Sequence, residues 1–241
     1  MGSELSRLRL LASDADAMWT SEQRSGHAVW FDLLENRLST VACFTDRSRH
    51  YVILRECSAG SMDLLSRRET TILIRVLLGR TGKSISEETG LAGSTVATYC
   101  ASTLRKLGIR CREHAVPLSI VMRVEYNMLS GQVSDFQMGS VSYVVVSAPL
   151  SDTQNSSLTA AQKRVLRLLL AGASNADIAR DCRTCLHTAE NHVASVFRKL
   201  GVNNRFRLVD HALCAAEHSD EQPSSELGRD QHALVQQRAA S

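Results

Sequence analysis

Residues Leu158 to Arg205 read LTAAQKRVLRLLLAGASNADIARDCRTCLHTAENHVASVFRKLGVNNR. The segment opens with Thr159 and, three residues on, Gln162. This is a capping box, in which each side chain satisfies a backbone donor left over at a helix start. Val165, Leu166 and Leu169 follow at helical spacing, so a first helix runs to about Leu170 with those residues buried. Gly172 supplies a left-handed stop. Ser174 is an N-cap for a short second helix, and Asp177 falls in its first turn, where the helix dipole favours an acid. Ile178 and Cys182 of that helix face inward, and Arg183 to Leu186 form a tight turn. A third helix runs from about His187 to Leu200, with Arg198 and Lys199 in its last turn, and ends at Gly201. Arg205 to Ala215 make a fourth. A short helix, a tight turn and a longer helix form a helix-turn-helix, whose second member fits the roughly 12 Å major groove of DNA.

The same pattern occurs earlier in the chain. A shift of 93 positions aligns Leu65 with Leu158, Gly79 with Gly172, Ile85 with Ile178, Thr95 with Thr188 and Arg112 with Arg205, without a gap. Arg105-Lys106-Leu107-Gly108-Ile109 meets Arg198-Lys199-Leu200-Gly201-Val202, and Ser66 with Glu69 repeats the capping box. Upstream of each unit lies a short β-branched and aromatic run, Tyr51-Val52-Ile53-Leu54 and Tyr143-Val144-Val145-Val146. Each follows a polar turn and an earlier apolar stretch, Leu38 to Phe44 and Val133 to Phe136, so each reads as a hairpin. Ala28 to Leu38 reads as a short helix, and Ser147 to Ser157 as a polar linker.

The fold expected is therefore mainly α with small antiparallel β-hairpins, an α+β chain of two four-helix units, each preceded by a hairpin. Its divisions are 1–63 (helix plus hairpin), 64–116 (first helical unit), 117–157 (hairpin and linker), 158–215 (second helical unit) and 216–241 (a polar tail, in which His232 to Arg238 could be helical).

Charge follows the repeat. Residues 64–115 and 158–213 each hold nine basic and four acidic groups, so each is +5, while the whole chain of 241 residues is only +3. Two local basic patches on a near-neutral protein suit a polyanion. No apolar run approaches the ~20 residues of a membrane span, and the N-terminus has no apolar core of a secretion signal. The 7 cysteines, odd in number and scattered through apolar stretches, fit reduced core thiols in the cytoplasm. Gly79-Arg80-Thr81-Gly82-Lys83-Ser84 has two residues between its glycines where a phosphate-binding loop needs four. Cys182 and Cys185 lack a second ligand pair at finger spacing. The reading therefore assigns no metal, no cofactor and no catalytic set, and the chain is not read as an enzyme.

The second unit resembles the LuxR/FixJ/NarL-type helix-turn-helix. The residues that carry the resemblance are Leu158-Thr159, Gly172, Ser174-Asn175, Ile178-Ala179, Thr188, His192, Lys199-Leu200-Gly201-Val202 and Arg205. The first unit is a degenerate copy, with Thr81-Gly82 at the Ser-Asn cap and Tyr99 at the histidine. The resemblance implies a four-helix domain whose third helix reads the major groove, in a bacterial regulator of transcription. Where the family often has lysine, two places after the helix-opening threonine, this chain has Ala97 and Glu190.

Residues expected at DNA are Thr95, Thr98, Ser102, Arg105 and Lys106 in the first unit, and Thr188, Glu190, Asn191, Ser195, Arg198 and Lys199 in the second. Asn191 can pair with adenine and Glu190 can accept from cytosine, while the arginines and lysines suit phosphates. The expected partners are double-stranded DNA and RNA polymerase or another regulator, with no membrane. The expected place is the cytoplasm, at the nucleoid. The two units could act as an intrachain pseudo-dimer, or the chain as a homodimer. The rival reading, kept open by Ala97 and Glu190, is a protein-interaction or dimerisation module that antagonises a regulator without binding DNA.

Overall fold

The computed structural model describes residues 2–18, 26–57, 65–151 and 156–215. The expected hairpins both form. The first is Leu38–Asp46 (β1) with Arg49–Glu56 (β2), and the second is Gln132–Met138 (β3) with Val141–Pro149 (β4). Each closes over two residues, Asp46 pairing with Arg49 and Met138 with Val141. They do not stand apart. Their inner strands pair, giving one antiparallel sheet in the order β1-β2-β4-β3.

The register of that junction is symmetric. Ile53 pairs with Val145, Tyr51 with Ser147, and Arg55 with Tyr143. Residues 92 apart in the sequence thus exchange equivalent partners about a point between Ile53 and Val145. The stacked pairs Phe44–Tyr51 and Phe136–Tyr143, with ring centroids 4.8 and 5.2 Å apart, obey the same relation. The sheet is a pseudo-twofold object made by one chain.

Strand alternation sends the two faces to different places. Val52, Leu54, Val144 and Val146 enter the main core with the helices. Tyr51, Ile53, Tyr143 and Val145 face the other way. Helix α1, Gly2–Ala17, lies over this second face. Its buried residues, Leu8, Ala12 and Asp16, recur every four positions and so share one side of the helix. Asp16 anchors it, 3.0 Å from Arg49 Nε and accepting from the hydroxyls of Tyr51 and Ser147. No element was expected there. Helix α2, Gly26–Leu34, is shorter than the expected run to Leu38: Asn36 turns left-handed (φ 54°), and Leu38 starts β1.

The first helical unit comprises Arg67–Leu77 (α3), Gly82–Thr89 (α4) and Gly93–Lys106 (α5), then a 3-10 turn, Arg112–Ala115, and Val116–Glu125 (α6). The second comprises Ala160–Leu170 (α7), Asn175–Cys182 (α8), Leu186–Lys199 (α9) and Arg205–Ala212 (α10). Both expected capping boxes close, Ser66 with Glu69 and Thr159 with Gln162, and Ser174 makes a third with Asp177.

Three boundaries differ from expectation. The division after 116 falls inside a continuous run, because α6 carries the first unit's fourth element on to Glu125. The linker starts later than Ser147, because β4 continues to Pro149. The last helix stops at Ala212, after which Leu213 and Cys214 bond back to Leu150 and Pro149 at the end of the sheet. The expected helix 232–238 lies outside the described residues.

Every residue of α6 is buried. It packs against α2, β2 and β4, and also against α3 and α7, the first helices of the two units. Its Arg123 is completely buried. The guanidinium donates to Asp210 on α10 (2.5 and 3.2 Å), to the Leu77 carbonyl at the end of α3 (2.8 Å) and to the Phe206 carbonyl on α10 (3.2 Å). One side chain therefore ties the first unit to the second. No helix among the described residues is long and apolar enough to cross a membrane.

Candidate nucleic-acid interface

In both units the third helix is fastened to the start of the first by the same device. Glu69, the third residue of α3, is buried and accepts from the Ser66 backbone N–H (2.8 Å), the Ser102 hydroxyl (3.0 Å) and Lys106 Nζ (3.0 Å). Burial opposes its charge, but the Ser66 N–H, Lys106 and the two hydroxyls outweigh this and hold its pKa at about 2. Gln162 holds the equivalent place in α7. Its amide donates to the Ser195 hydroxyl (2.9 Å), and its oxygen accepts from Lys199 (2.9 Å).

Ser102 and Ser195 were expected to face the groove, and Lys106 and Lys199 to meet phosphates; the polar groups of all four bond to the capping box behind the third helix, with Lys199 still exposed. Thr95 and Thr188 are half-buried, and Thr188 is 3.1 Å from Cys185 Sγ. The outward positions are Gly93, Ser94, Ala97, Thr98, Ala101 and Arg105 on α5, and Leu186, His187, Glu190, Asn191, Ala194, Arg198 and Lys199 on α9. Apart from Lys199, whose counterpart Lys106 is half-buried, the two sets correspond residue by residue under the 93-position shift. Gly93, Ser94, Ala101, Leu186, His187 and Ala194 were missed by sequence reasoning. Applying the helical period to both copies together would have found them.

Both third helices open without a side-chain cap, at Ala92 and Cys185. Among the described residues Arg67, Arg68, Arg105 and Arg110 of the first unit form no ion pair. The same holds for Lys163, Arg167, Arg183, Arg198 and Arg207 of the second. Other cations are neutralised at home, such as Arg75 by Glu88 and Arg164 by Asp181, each at 2.9–3.0 Å.

The units face each other reciprocally. Gly79, between α3 and α4, sits against the second unit's fourth helix: Asn204 donates to its carbonyl at 3.2 Å, and an added Cβ would lie 2.9 Å from Arg207 Cγ. Gly172, its counterpart, sits against the first unit's fourth element, where a Cβ would lie 3.0 Å from the Glu113 carbonyl oxygen and 3.1 Å from Pro117 Cδ. Arg112 extends across the boundary, 5.5 Å above the Phe206 ring. Its counterpart Arg205 donates within its own unit, to Asn175 Oδ1 at 2.5 Å, while its charge interacts with Glu113 of the first unit. The first unit has Gly82 at the position of Asn175, so it offers no such acceptor.

The model of a family described as bacterial regulatory proteins, luxR family, matches twice, over residues 63–119 and 156–212. Both helical units of the chain belong to the luxR family. The first luxR-family match ends inside α6, so the family unit takes in the 3-10 turn and the start of that helix, and the rest of α6 is an extension. The sheet, α1 and α2 lie outside both matches. No curated protein and no solved structure matches the chain.

Proposed function

We propose that the chain is a bacterial transcription regulator that binds duplex DNA with both luxR-family units, α5 and α9 each entering a major groove. The observation that carries this reading is the pair of equivalent outward faces on α5 and α9, each with an arginine near its end, Arg105 and Arg198, that forms no ion pair among the described residues. Those arginines, with Arg67, Arg68, Lys163 and Arg167, suit phosphates, which hold a protein on the duplex without reading sequence. Glu190 and Asn191 suit base edges. The reciprocal seating of the two units supports their use as an intrachain pair.

The test is duplex binding by the full chain across a salt series, with footprinting of the bound DNA. The logarithm of affinity should fall linearly with the logarithm of salt, and two separate major-groove faces should be protected. Arg105→Ala and Arg198→Ala should each reduce the magnitude of that slope by about one. Duplex affinity that is negligible at low salt overturns this reading in favour of a protein-interaction module. Protection of a single groove overturns the two-unit grip.

A further inference from the structure

The two outward faces agree where they would meet phosphate and differ where they would meet bases. Ala101 matches Ala194, and Arg105 matches Arg198. Ser94 faces His187, Ala97 faces Glu190, and Thr98 faces Asn191 across the repeat. Resting on the DNA-binding reading above, we infer that the target is a non-palindromic pair of unlike half-sites, thymine-rich under α5 and carrying adenine and cytosine under α9.

The chemistry of each face sets its half. On α5 the outward groups are mostly methyls. Ala97 and Ala101 carry nothing else, and the Thr98 hydroxyl is turned back to donate to the Ser94 carbonyl at 3.0 Å. In the major groove a methyl surface is complementary to the thymine C5-methyl and to no other base feature. On α9, Glu190 is exposed and forms no ion pair among the described residues. A carboxylate is repelled by phosphate and by the acceptor atoms of the bases, so it needs an amino donor; cytosine N4 is its usual partner, because adenine sets its N7 acceptor beside N6. Asn191, one position on, can meet both N6 and N7 of adenine. The asymmetry is fixed on every target, because each chain supplies one face of each kind. Arg123 with Asp210, and the seats of Gly79 and Gly172, hold those two faces in one body. Two identical chains related by a true twofold would read identical halves.

The test is affinity selection from random duplexes with the full chain, in three forms: the natural sequence, E190A, and the double variant A97E/T98N. All substituted positions are outward, so the core is untouched. The natural chain should select two unlike halves. E190A should lose its preference at one base position by about tenfold or more and keep the rest. A97E/T98N places two of the differing α9 residues on α5, so its thymine-rich half should take on the adenine and cytosine preference of the other and the motif should move towards a palindrome. A palindromic motif from the natural chain, or an unchanged motif from A97E/T98N, overturns the inference while leaving DNA binding intact. Retention of no duplex at low salt overturns the DNA-binding reading itself, and this inference with it.

Discussion

Ile53 and Val145 are counterparts in the repeated sequence, and they pair with each other across the centre of the sheet. Both are fully buried. The two halves of the chain therefore share one sheet as well as one main core, so they are expected to unfold together. Urea unfolding should be a single transition, with the buried Trp30 and the far-ultraviolet signal of the helices changing together. Ile53→Ala should lower stability by about 2–5 kcal/mol and leave the transition single. Two separate transitions would contradict this account.

Arg123→Ala is expected to be among the most damaging single changes. It strips the Leu77 and Phe206 carbonyls of a donor and leaves Asp210 without its cation at a partly buried site. A loss of about 3–5 kcal/mol is expected from breaking such a pair on one side. Asp210→Ala should fall in the same range, because it leaves a buried guanidinium held only by carbonyls. Urea midpoints of the two variants check this.

The left-handed glycines should rank by what surrounds them. Gly201, at φ 66° with nothing near an added Cβ, should lose only about 1–2 kcal/mol on substitution by alanine. Gly79 adds contacts with Asn204 Oδ1, which the Phe206 and Arg207 N–H groups hold in place, and with the Arg207 side chain, which can move aside. Gly172 adds contacts with backbone at Glu113 and His114 and with the Pro117 ring, which cannot. Thermal unfolding should place G172A lowest, then G79A, then G201A. A reversed order would show that the reciprocal seating is looser than described.

The two lock residues should differ because one partner is charged. Lys106→Met leaves the buried Glu69 carboxylate without its cation and should lower stability by about 1–3 kcal/mol. Lys199→Met removes a donor from the neutral Gln162 and should lose less. Urea midpoints of the two variants measure the difference. Equal losses would mean that the charge of Glu69 is not what the lysine answers.

Two buried groups set opposing pH dependences. Burial raises the Glu125 carboxyl to about 8, and burial lowers His50 to about 4. From about pH 4.3 up to the folded value near 8, the folded chain keeps the Glu125 proton that the unfolded chain releases, so stability falls as pH rises. Below about pH 6.5 the unfolded chain protonates its histidine, and the folded chain refuses until about 4, so stability falls as pH drops. The slopes largely cancel below about pH 6.5, and above it Glu125 acts alone. Glu125→Gln keeps an acceptor for the Trp30 N–H, now made at 2.7 Å. It should flatten the decline between about pH 6.5 and pH 8 and expose the His50 decline below that. An unchanged profile would remove Glu125 from the account.

What was legible in the sequence was what solvent makes periodic. The helices of the second unit, its capping boxes and the repeat of both in the first show as apolar stripes against polar faces. Helix α6 was not legible, because Val116 to Glu125 are buried on every side and its polar residues Ser119, Arg123 and Glu125 are buried with the rest, so no solvent-facing stripe marks it. The β2–β4 junction was not legible either, since the partner of Ile53 lies 92 residues away and local pattern does not encode so distant a register. At the candidate interface the helical spacing placed Thr98, Arg105, Glu190, Asn191 and Arg198 outward, where the structure has them. It did not foresee that Ser102, Lys106, Ser195 and Lys199 would bond to the capping boxes. A polar side chain on a helix satisfies the same pattern whether it faces water or a buried carboxylate on the next helix.

In an assembly of two identical subunits every substitution occurs twice, once on each side of the axis, and must be tolerable in both. Here Gly79 meets Asn204 and Arg207, whereas its counterpart Gly172 meets Glu113, His114 and Pro117. Arg112 reaches over the ring of Phe206, whereas its counterpart Arg205 hydrogen-bonds Asn175 and interacts through its charge with Glu113. Joining the halves in one chain has released each position from its twin, so a change on one side can be answered by a different change on the other.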